Sequence, residues 1–352
     1  MSSADLHVLR DEHAFDPAPS LEELYHYHVP FDELVGATSC ESPLRRALLR
    51  GEQVALLGDS GSGKSSVIGH VLGPLVEGVA PLPVPVAVEG PEVAGDPALF
   101  SSHLVRTIAR HVEHAMPGNA DEARKAVEQS TPTVPERVRR RRFGGTIGWL
   151  RTKFELASEL ERVTAAHPRS SAEIFEQAKK MLRIIESYDL RPVLVFDDTD
   201  KWFGTGVEDP DRYLEGFFGR VVRLIAEEYG VAAVLAVHHA YLEHPAYTNA
   251  AGFVETTITV PRLPDADSLG RLLERRASGR KVFEPEALER LFTYYNQGNE
   301  SDLRQRVLLI VHTALAQACD EDADRVRRGH IELAIAEYGE PVGLWRRIWV
   351  RR

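Results

Sequence analysis

The chain has 352 residues, an apolar fraction of 43% and a formal net charge of -11 at pH 7. This length accommodates one large α/β domain with a smaller partner domain. The negative charge excludes a protein that coats nucleic acid over its whole surface, so any basic binding site must be local. Two cysteines, Cys40 and Cys319, lie far apart without a CxxC partner, which favours reduced buried thiols over a zinc site or a disulfide.

The N-terminal residues have neither the pattern of a secretory signal nor that of a membrane anchor. They are polar and acidic, and no apolar run in the chain approaches the ~20 residues that span a bilayer. We therefore expect a soluble, cytoplasmic protein without a transmembrane segment. Prolines among mixed charges indicate that residues 1–35 are an arm laid over a domain.

A short helix, a strand, a glycine-rich loop and a second helix follow the arm. The first helix is predicted from Ser42 to Arg50, with Ser42 as the N-cap and Pro43 at the first helical position. The apolar run Val54–Leu57 has the length of a strand, and a helical pattern resumes at Ser66. Strand, glycine loop and helix together form the context that a phosphate-binding loop requires.

Four further strands are predicted in the same domain. They are Pro83–Val88, Val193–Phe196, Val231–Val237 and Glu255–Val260. The first contains prolines, which cannot donate ladder hydrogen bonds, so it belongs near a sheet edge. Helices at Ala172–Ser187 and Asp211–Tyr229 separate the strands, which indicates an α/β fold with a doubly wound, parallel, five-stranded P-loop sheet. We assign residues 36–262 to this core.

A wholly helical pattern begins at Ser268. Apolar residues recur there at helical spacing as far as Tyr338, without a strand pattern among them. We therefore expect a C-terminal all-helical lid domain over residues 263–340, followed by a basic, tryptophan-rich tail over residues 341–352.

The loop Gly58–Ser65 has the residue types and spacing that wrap a triphosphate. Its glycines stand where side chains would obstruct a tight curl of the backbone, so that the amide groups face the anion. Lys64 adds a point charge toward the β and γ phosphates, and Ser65 offers a hydroxyl to Mg²⁺. The predicted nucleotide-binding residues of this segment are Gly58, Asp59, Ser60, Gly61, Ser62, Gly63, Lys64, Ser65 and Ser66.

Polar residues follow two of the predicted strands. We expect Asp197 to hold Mg²⁺ through the water molecules bound to the cation. Asp198 is expected to act as the general base or to position the attacking water, and Lys64 is the further catalytic residue. The alternative for Asp198 is a cap on the next segment. His239 follows the strand Val231–Val237 and is assigned a sensing or orienting role, against the alternative of a merely solvated histidine.

These motifs, in this order, resemble the AAA+ and STAND superfamilies of P-loop ATPases, and within them the origin-recognition-like and bacterial defence-type ATPases. The resemblance covers roughly Val35 to Tyr338, and it implies that ATP and Mg²⁺ are the ligands. It places His238 or His239 at the sensor 1 position. Further similarity to the lid of origin-recognition-type ATPases is carried by Pro285–Leu288, Gly298-Asn299 and Val326–Ala334.

Three departures from the family pattern favour a slow ATPase or switch over a fast hexameric motor. Asp198 stands where most AAA+ enzymes have glutamate. Ser301 occupies the place of the expected lid arginine, so Arg304 or Arg306 would have to contact the nucleotide instead. Residues 245–260 contain no arginine that could act as a finger for a neighbouring subunit.

A long basic insertion separates the second and third predicted strands, at residues 115–170. Its segment Arg137–Lys153 combines clustered arginines with aromatic residues, which suits DNA, an anionic membrane surface or a partner protein. A solvated basic helix is the alternative. The tail Trp345–Arg352 repeats the mixture and either docks a partner or packs on the lid.

The sequence thus favours an ATP-binding, slowly hydrolysing AAA+/STAND-like ATPase that acts as a nucleotide-dependent switch on DNA or a partner protein. The alternative is an ATP-bound scaffold or sensor without turnover that serves a separately encoded effector, for example in phage defence; the absence of a recognisable nuclease, protease or repeat domain after the lid favours it. A small-molecule kinase is a weaker third candidate. A homo-oligomer is compatible with each of them.

Overall fold

The computed structural model describes residues 2–16, 26–34, 38–59, 61–76, 81–86, 91–115, 117–130, 170–197, 199, 209–297 and 303–338. Predictions for Ser60, Asp198, Ser301, residues 131–169 of the basic insertion and the tail lie outside these residues. The chain divides into two compact units. Unit 1 comprises Met1–Ser39, Asp59–Gly63 and Pro261–Arg352, and unit 2 comprises Cys40–Gly58 and Lys64–Val260.

Unit 2 contains one parallel sheet of five strands. These are β1 Gln53–Leu57, β2 Pro81–Pro85, β3 Arg191–Phe196, β4 Ala232–Val237 and β5 Thr256–Thr259. Their spatial order is β2-β3-β4-β1-β5, and each neighbouring pair is parallel. The proline-containing strand β2 lies at one edge, as its missing amide donors predict. The central strands β1, β3 and β4 consist of apolar, buried residues almost throughout.

Helices follow most of the strands and make up much of the rest of the described chain. They are α1 Ser3–Asp11, α2 Glu41–Leu49, α3 Lys64–Val76, α4 Pro91–Gly95, α5 Pro97–Ala115, α6 Ala120–Gln129, α7 Ser171–Glu186, α8 Pro210–Gly216, α9 Pro245–Ala250, α10 Ala266–Arg276, α11 Pro285–Gln297, α12 Leu303–Asp320 and α13 Arg328–Tyr338. Within the described residues, no helix combines the length and the apolarity that crossing a membrane requires.

Apolar residues cover both faces of the sheet. Side chains of successive strand residues point to opposite faces. On β4, Ala233 and Leu235 belong to an apolar cluster that includes residues of α5, α7 and the helix after α8. The intervening Val234 and Ala236 are equally buried. A sheet buried on both faces is the arrangement expected of parallel α/β proteins, and this part of the sequence prediction is confirmed.

Several predicted element ends are displaced by a few residues. Helix α2 begins at Glu41, not after Ser42, because the Leu44 amide donates to the Cys40 oxygen at 3.2 Å and so makes Cys40 the N-cap. Pro43 is therefore the third helical residue, where its missing N–H costs nothing because first-turn amides have no helical partner. Strand β2 begins at Pro81, two residues before the predicted Pro83, since its register is set by pairing with β3; the predicted end at Val88 lies outside the described residues.

The predicted helix over residues 211–229 is confirmed with an altered hydrogen-bond pattern. After α8 it continues as π-helix at Phe217–Val222 and Ile225–Tyr229. Gly216, the last residue of α8, packs very closely on Gly95 of α4. A Cβ on Gly216 would lie 2.1 Å from the Gly95 carbonyl oxygen. Only glycine permits the two backbones to approach so closely.

Unit 1 joins the N-terminal arm to the C-terminal helices. Helix α1 packs on α12, and the ring of Phe15 meets that of Phe283 edge to face at 5.7 Å between centroids. Three arginines of α10 donate to main-chain oxygens of the arm. These bonds are Arg271 to Glu33 at 2.7 Å, Arg275 to His26 at 3.1 Å and Arg276 to Asp16 at 3.2 Å.

Candidate nucleotide site

Three central strands of unit 2 bring the predicted site residues to one edge of the sheet. Parallel strands end on the same side, and β4 lies between β1 and β3. Leu57 at the end of β1 pairs with Val237 at the end of β4. Phe196 at the end of β3 pairs with Leu235. Residues that directly follow these three strands therefore meet at the carboxyl edge, where open α/β sheets bind their ligands.

The glycine loop begins directly after β1. The Gly58 amide donates to the Val237 oxygen at 3.1 Å, so the first residue of the loop continues the ladder between β1 and β4. Gly61 and Gly63 have φ angles of +68° and +95°. These left-handed values favour glycine over residues with a Cβ, and they turn successive amides toward a common point. The left-handed backbone thus gives a reason for glycine at both positions.

Lys64 is held against the loop that it follows. It is the first residue of α3, its side chain is 6% exposed, and its Nζ donates to the Gly58 oxygen at 2.8 Å. A buried ammonium needs such a partner, because transfer of an unpaired ion out of water costs several kcal/mol even after the protein relaxes. The bond fixes the charge over the loop, at the positive end of a 13-residue helix.

Asp197 directly follows β3 and is half-buried. One strand separates β3 from β1, and the strand pairing places Asp197 level with Leu56, so its backbone lies two strand spacings from β1, about 10 Å. This separation allows a hydrated cation and a phosphate between the carboxylate and the loop. Asp198 lies outside the described residues, and its assigned role stays a prediction.

Thr199 anchors the chain next to Asp197, which the sequence did not predict. Its side chain is fully buried, and its hydroxyl donates to the Ala236 carbonyl on β4. The bond ties the segment after Asp197 to the neighbouring strand. The partner lies 37 residues away along the chain, so no local pattern could have revealed it.

The two histidines after β4 differ in their local contacts. His238 Nδ1 accepts the Ala240 amide at 3.0 Å and thereby caps the 3-10 turn His239–Tyr241. His239 is half-buried at the start of that turn, and its sensing role stays a prediction. Arg304 is the second residue of α12 in unit 1, and its side chain lies outside what the structure describes.

The donor set of the loop fits a magnesium nucleotide. Ser62 Oγ is buried and has no hydrogen-bond partner among the described residues, which suits a ligand oxygen. Ser65 and Ser66 are half-buried in the first turn of α3. Across the described ranges, no group of three or more His, Cys, Asp or Glu side chains forms a ready metal site. Mg²⁺ characteristically binds one or two carboxylates and completes its shell with phosphates and water.

The fold is similar to that of a solved Cdc6 protein, in agreement with the resemblance that the motif order indicates. The Cdc6 protein of Pyrobaculum aerophilum aligns over 84% of this chain and 65% of its own, with a TM-score of 0.50 and 14% identity. This identity shows the fold alone.

Two further solved structures are similar to the chain. The ORC1 protein of Aeropyrum pernix, solved in complex with DNA, has a TM-score of 0.48 and 18% identity, over 85% of this chain and 64% of that one. The Drosophila ORC, solved bound to DNA, has a TM-score of 0.49 and 12% identity, over 96% and 66%. The chain spans just under two thirds of the length of each of these three solved chains. No family model and no curated protein sequence matches it.

Proposed function

We propose that the chain binds ATP with Mg²⁺ at the loop Gly58–Ser65 and hydrolyses it slowly, as a switch acting on DNA or a partner protein. The observation that carries the proposal is the seating of Lys64. Its ammonium is buried, bonded at 2.8 Å to the loop carbonyl of Gly58, and lies where a helix begins after two left-handed glycines. This combination of a curled loop, a helix start and a fixed cation is suited to polyphosphate.

The neighbouring residues would supply the remaining functions. Ser65 would offer its hydroxyl to the cation, and Asp197 would hold the cation through water. Bound Mg²⁺ would neutralise phosphate charge as the terminal phosphoryl group leaves. Asp198 would orient the attacking water, while Asp59, Ser60 and Ser66 would complete the phosphate contacts.

Three features of the sequence support slow turnover. The side chain of Asp198 is one methylene shorter than the glutamate that is usual at this position in the AAA+ enzymes that the sequence resembles. Ser301 replaces the lid arginine, and Arg304 is the proposed substitute. Residues 245–260 contain no arginine, so this segment has no candidate for an arginine finger that would complete the site of a neighbouring subunit. An assembly of identical chains would therefore serve as a switch more readily than as a motor.

Nucleotide binding is tested by Lys64→Ala, with Lys125→Ala as a matched control. Lys125 is exposed on α6, and no partner of its side chain is found among the described residues. We expect Lys64→Ala to weaken binding of fluorescent ATP at least ~10-fold, as loss of a charge-assisted hydrogen bond predicts, and the control to bind like wild type. Equal affinity of all three proteins would refute the proposed site.

Hydrolysis is tested by phosphate release from wild type, Asp197→Asn and Asp198→Asn. We expect wild type to exceed both variants by ~10² or more, the usual range for loss of a positioned catalytic group. If all three proteins release phosphate only at the background rate and the purified protein retains unhydrolysed ATP, the ATPase hypothesis is refuted and the non-hydrolysing scaffold is favoured.

The switch is tested by repeating both measurements with duplex DNA. The segment Arg137–Lys153 and the tail Trp345–Arg352 are the proposed contacts, because arginine and aromatic residues suit phosphates and bases. Removal of the arginines in Arg137–Arg142 is expected to abolish any DNA effect while ATP affinity is kept. An unchanged effect would assign DNA binding elsewhere, and no effect in wild type would favour a protein partner.

A further inference from the structure

Unit 1 contains a basic cavity separate from the glycine loop. The cavity has a volume of about 300 Å³ and is lined by Asp5 of α1, Arg280 and Lys281 after α10, and Arg325 before α13. Three cations and one carboxylate give the lining a formal charge of +2. None of these residues belongs to the predicted nucleotide site.

Two short loops build this cavity and fix its shape. After α10 the chain reverses through Ser278 and Gly279, whose φ angles are +54° and +81°, and the Gly279 amide donates to the Glu274 oxygen at 2.7 Å. The following residues then pair with the second loop, since the Val326 amide donates to the Val282 oxygen at 2.9 Å. This pairing places Arg325 beside the pair Arg280-Lys281.

The pairing of the two loops is closed by a second bond. The Glu284 amide donates to the Val326 oxygen at 3.0 Å, and Phe283 and Val326 form a parallel bridge. Val282 and Val326 are 1% and 0% exposed. The cavity wall is therefore made of ordered main chain with buried apolar anchors, and the basic side chains project from it.

The carboxylates near the cavity already have other partners. Asp5 accepts both the amide and the hydroxyl of Ser2, at 2.8 and 3.0 Å. Asp322 lies 3.8 Å from the His7 ring and accepts the Ser3 hydroxyl at 3.4 Å. Arg327 lies 3.7 Å from Glu284 and 3.6 Å from Asp324. These acids are thus committed to helix capping and to ion pairs of their own.

Among the described residues, the basic side chains of the cavity have no hydrogen-bonded acid. The pKa of the Asp5 carboxyl is lowered mainly by its hydrogen bonds from Ser2 and to a smaller extent by the nearby charge of Arg280. Within the described part of the chain, Lys281 and Arg325 make no side-chain hydrogen bond or ion pair. Arg280 Nη1 is fully buried and has no hydrogen-bond partner there. Buried polar groups are almost always bonded, and an unbonded guanidinium nitrogen is among the more costly exceptions. A ligand oxygen at the cavity would remove that cost.

We propose that this cavity binds a phosphate group. A phosphate monoester carries about -1.5 to -2 charges at pH 7, which matches the lining charge of +2. The planar guanidinium of an arginine presents parallel donors that fit two phosphate oxygens, and Lys281 adds a point charge. The phosphate belongs either to a free phosphorylated small molecule or to a nucleic-acid backbone, and the chemistry of recognition is the same.

The test measures binding of inorganic pyrophosphate by calorimetry, in full-length Lys64→Ala so that the glycine loop contributes little. The cavity variant adds Arg280→Gln and Arg325→Gln. The matched control adds Arg212→Gln and Arg220→Gln instead, two exposed arginines of unit 2 with the same change in charge. We expect the cavity variant to bind about tenfold more weakly or worse, from loss of two charge-assisted hydrogen bonds, and the control to bind normally.

A second probe separates the two sources of phosphate. A single-stranded oligonucleotide with hydroxyl ends carries phosphate only in its backbone. Loss of pyrophosphate binding in the cavity variant would identify a small-molecule site, and loss of oligonucleotide binding alone would identify a backbone site. Unchanged binding of both probes, or equal loss in the control, would overturn the proposal.

A further variant guards against misfolding. Arg280 is half-buried, whereas Lys281 and Arg325 are exposed, so Lys281→Gln with Arg325→Gln repeats the test without altering the buried nitrogen. Its melting temperature without phosphate should equal that of the parent. The phosphate proposal can be tested independently of the proposed ATP site. The cavity variant with Lys64 restored should bind ATP like wild type.

Discussion

Lys64 and Thr199 show how single side chains fix the edge of the sheet. Both are buried, and each donates to a main-chain oxygen at the end of a central strand or just beyond it. Lys64 bonds within its own loop, six residues away. Thr199 bonds to another strand and so determines where the segment after Asp197 runs.

Thr199→Val should separate this anchoring bond from side-chain volume. Valine has nearly the same shape but leaves the Ala236 oxygen without the hydroxyl, so we expect a loss of ~1–2 kcal/mol in the free energy of unfolding. Urea denaturation measures the loss. Thr199→Ser keeps the hydroxyl and serves as the control. If the valine variant is as stable as wild type, the bond does not hold the segment.

At the scale of elements, the crossing of α4 and α8 depends on two glycines. A methyl group on Gly216 would overlap the Gly95 carbonyl, since the distance to the oxygen would be 2.1 Å. The atoms of Gly95 that the methyl group would meet are main-chain atoms, so the clash cannot be relieved by a side-chain rotation. One of the two helices would have to move.

Gly216→Ala should therefore destabilise unit 2 by ~3 kcal/mol or more, in the upper range for overpacked sites. Gly219→Ala is the control, because Gly219 lies in the same helical segment with nothing within 4 Å of its added Cβ. It should be neutral or raise stability by ~0.5–1 kcal/mol through helix propensity. Thermal and urea unfolding of the two variants distinguish these outcomes, and equal stabilities would contradict the crossing.

The sequence predicted those features that depend on neighbours along the chain. The glycine loop is contiguous, so Gly58–Ser65 could be located and its role proposed from the sequence, and the apolar runs located the buried strands to within a few residues. The start of β2 was predicted two residues late because its register comes from β3. The approach of Asp197 to the loop depends on the strand order, which no local pattern contains.

Contacts over long separations were correspondingly missed. The bond from Arg276 to Asp16 joins residues 260 apart, and the arm was predicted without the helices that it contacts. The bond from Thr199 and the grouping of Arg325 with Arg280 have the same origin. In each case ordinary polar residues gain a role only when two distant segments pack together.

At the scale of the molecule, unit 1 depends on its first residues. Leu9 of α1 is fully buried, whereas the adjacent Val8 is 42% exposed. Leu9→Ala should lower the stability of unit 1 by ~2–5 kcal/mol, as for other buried leucines. Val8→Ala should change it by less than ~0.5 kcal/mol.

Hydrogen exchange of amides in α12, on which α1 packs, measures this effect within unit 1. Faster exchange in Leu9→Ala alone would support the arm as part of the unit. Equal exchange in both variants would show that the C-terminal helices are stable without it.

The division of the chain has a consequence during synthesis. Unit 1 takes its first segment from residues before Ser39 and most of the remainder from residues after Pro261, with unit 2 encoded between them. Ribosomes add about 5–20 residues per second, so the segment carrying Leu6, Leu9 and Phe15 emerges on the order of ten seconds or more before its packing partners exist. During that interval these apolar side chains are available to chaperones, while the segments of unit 2 are already complete and can fold.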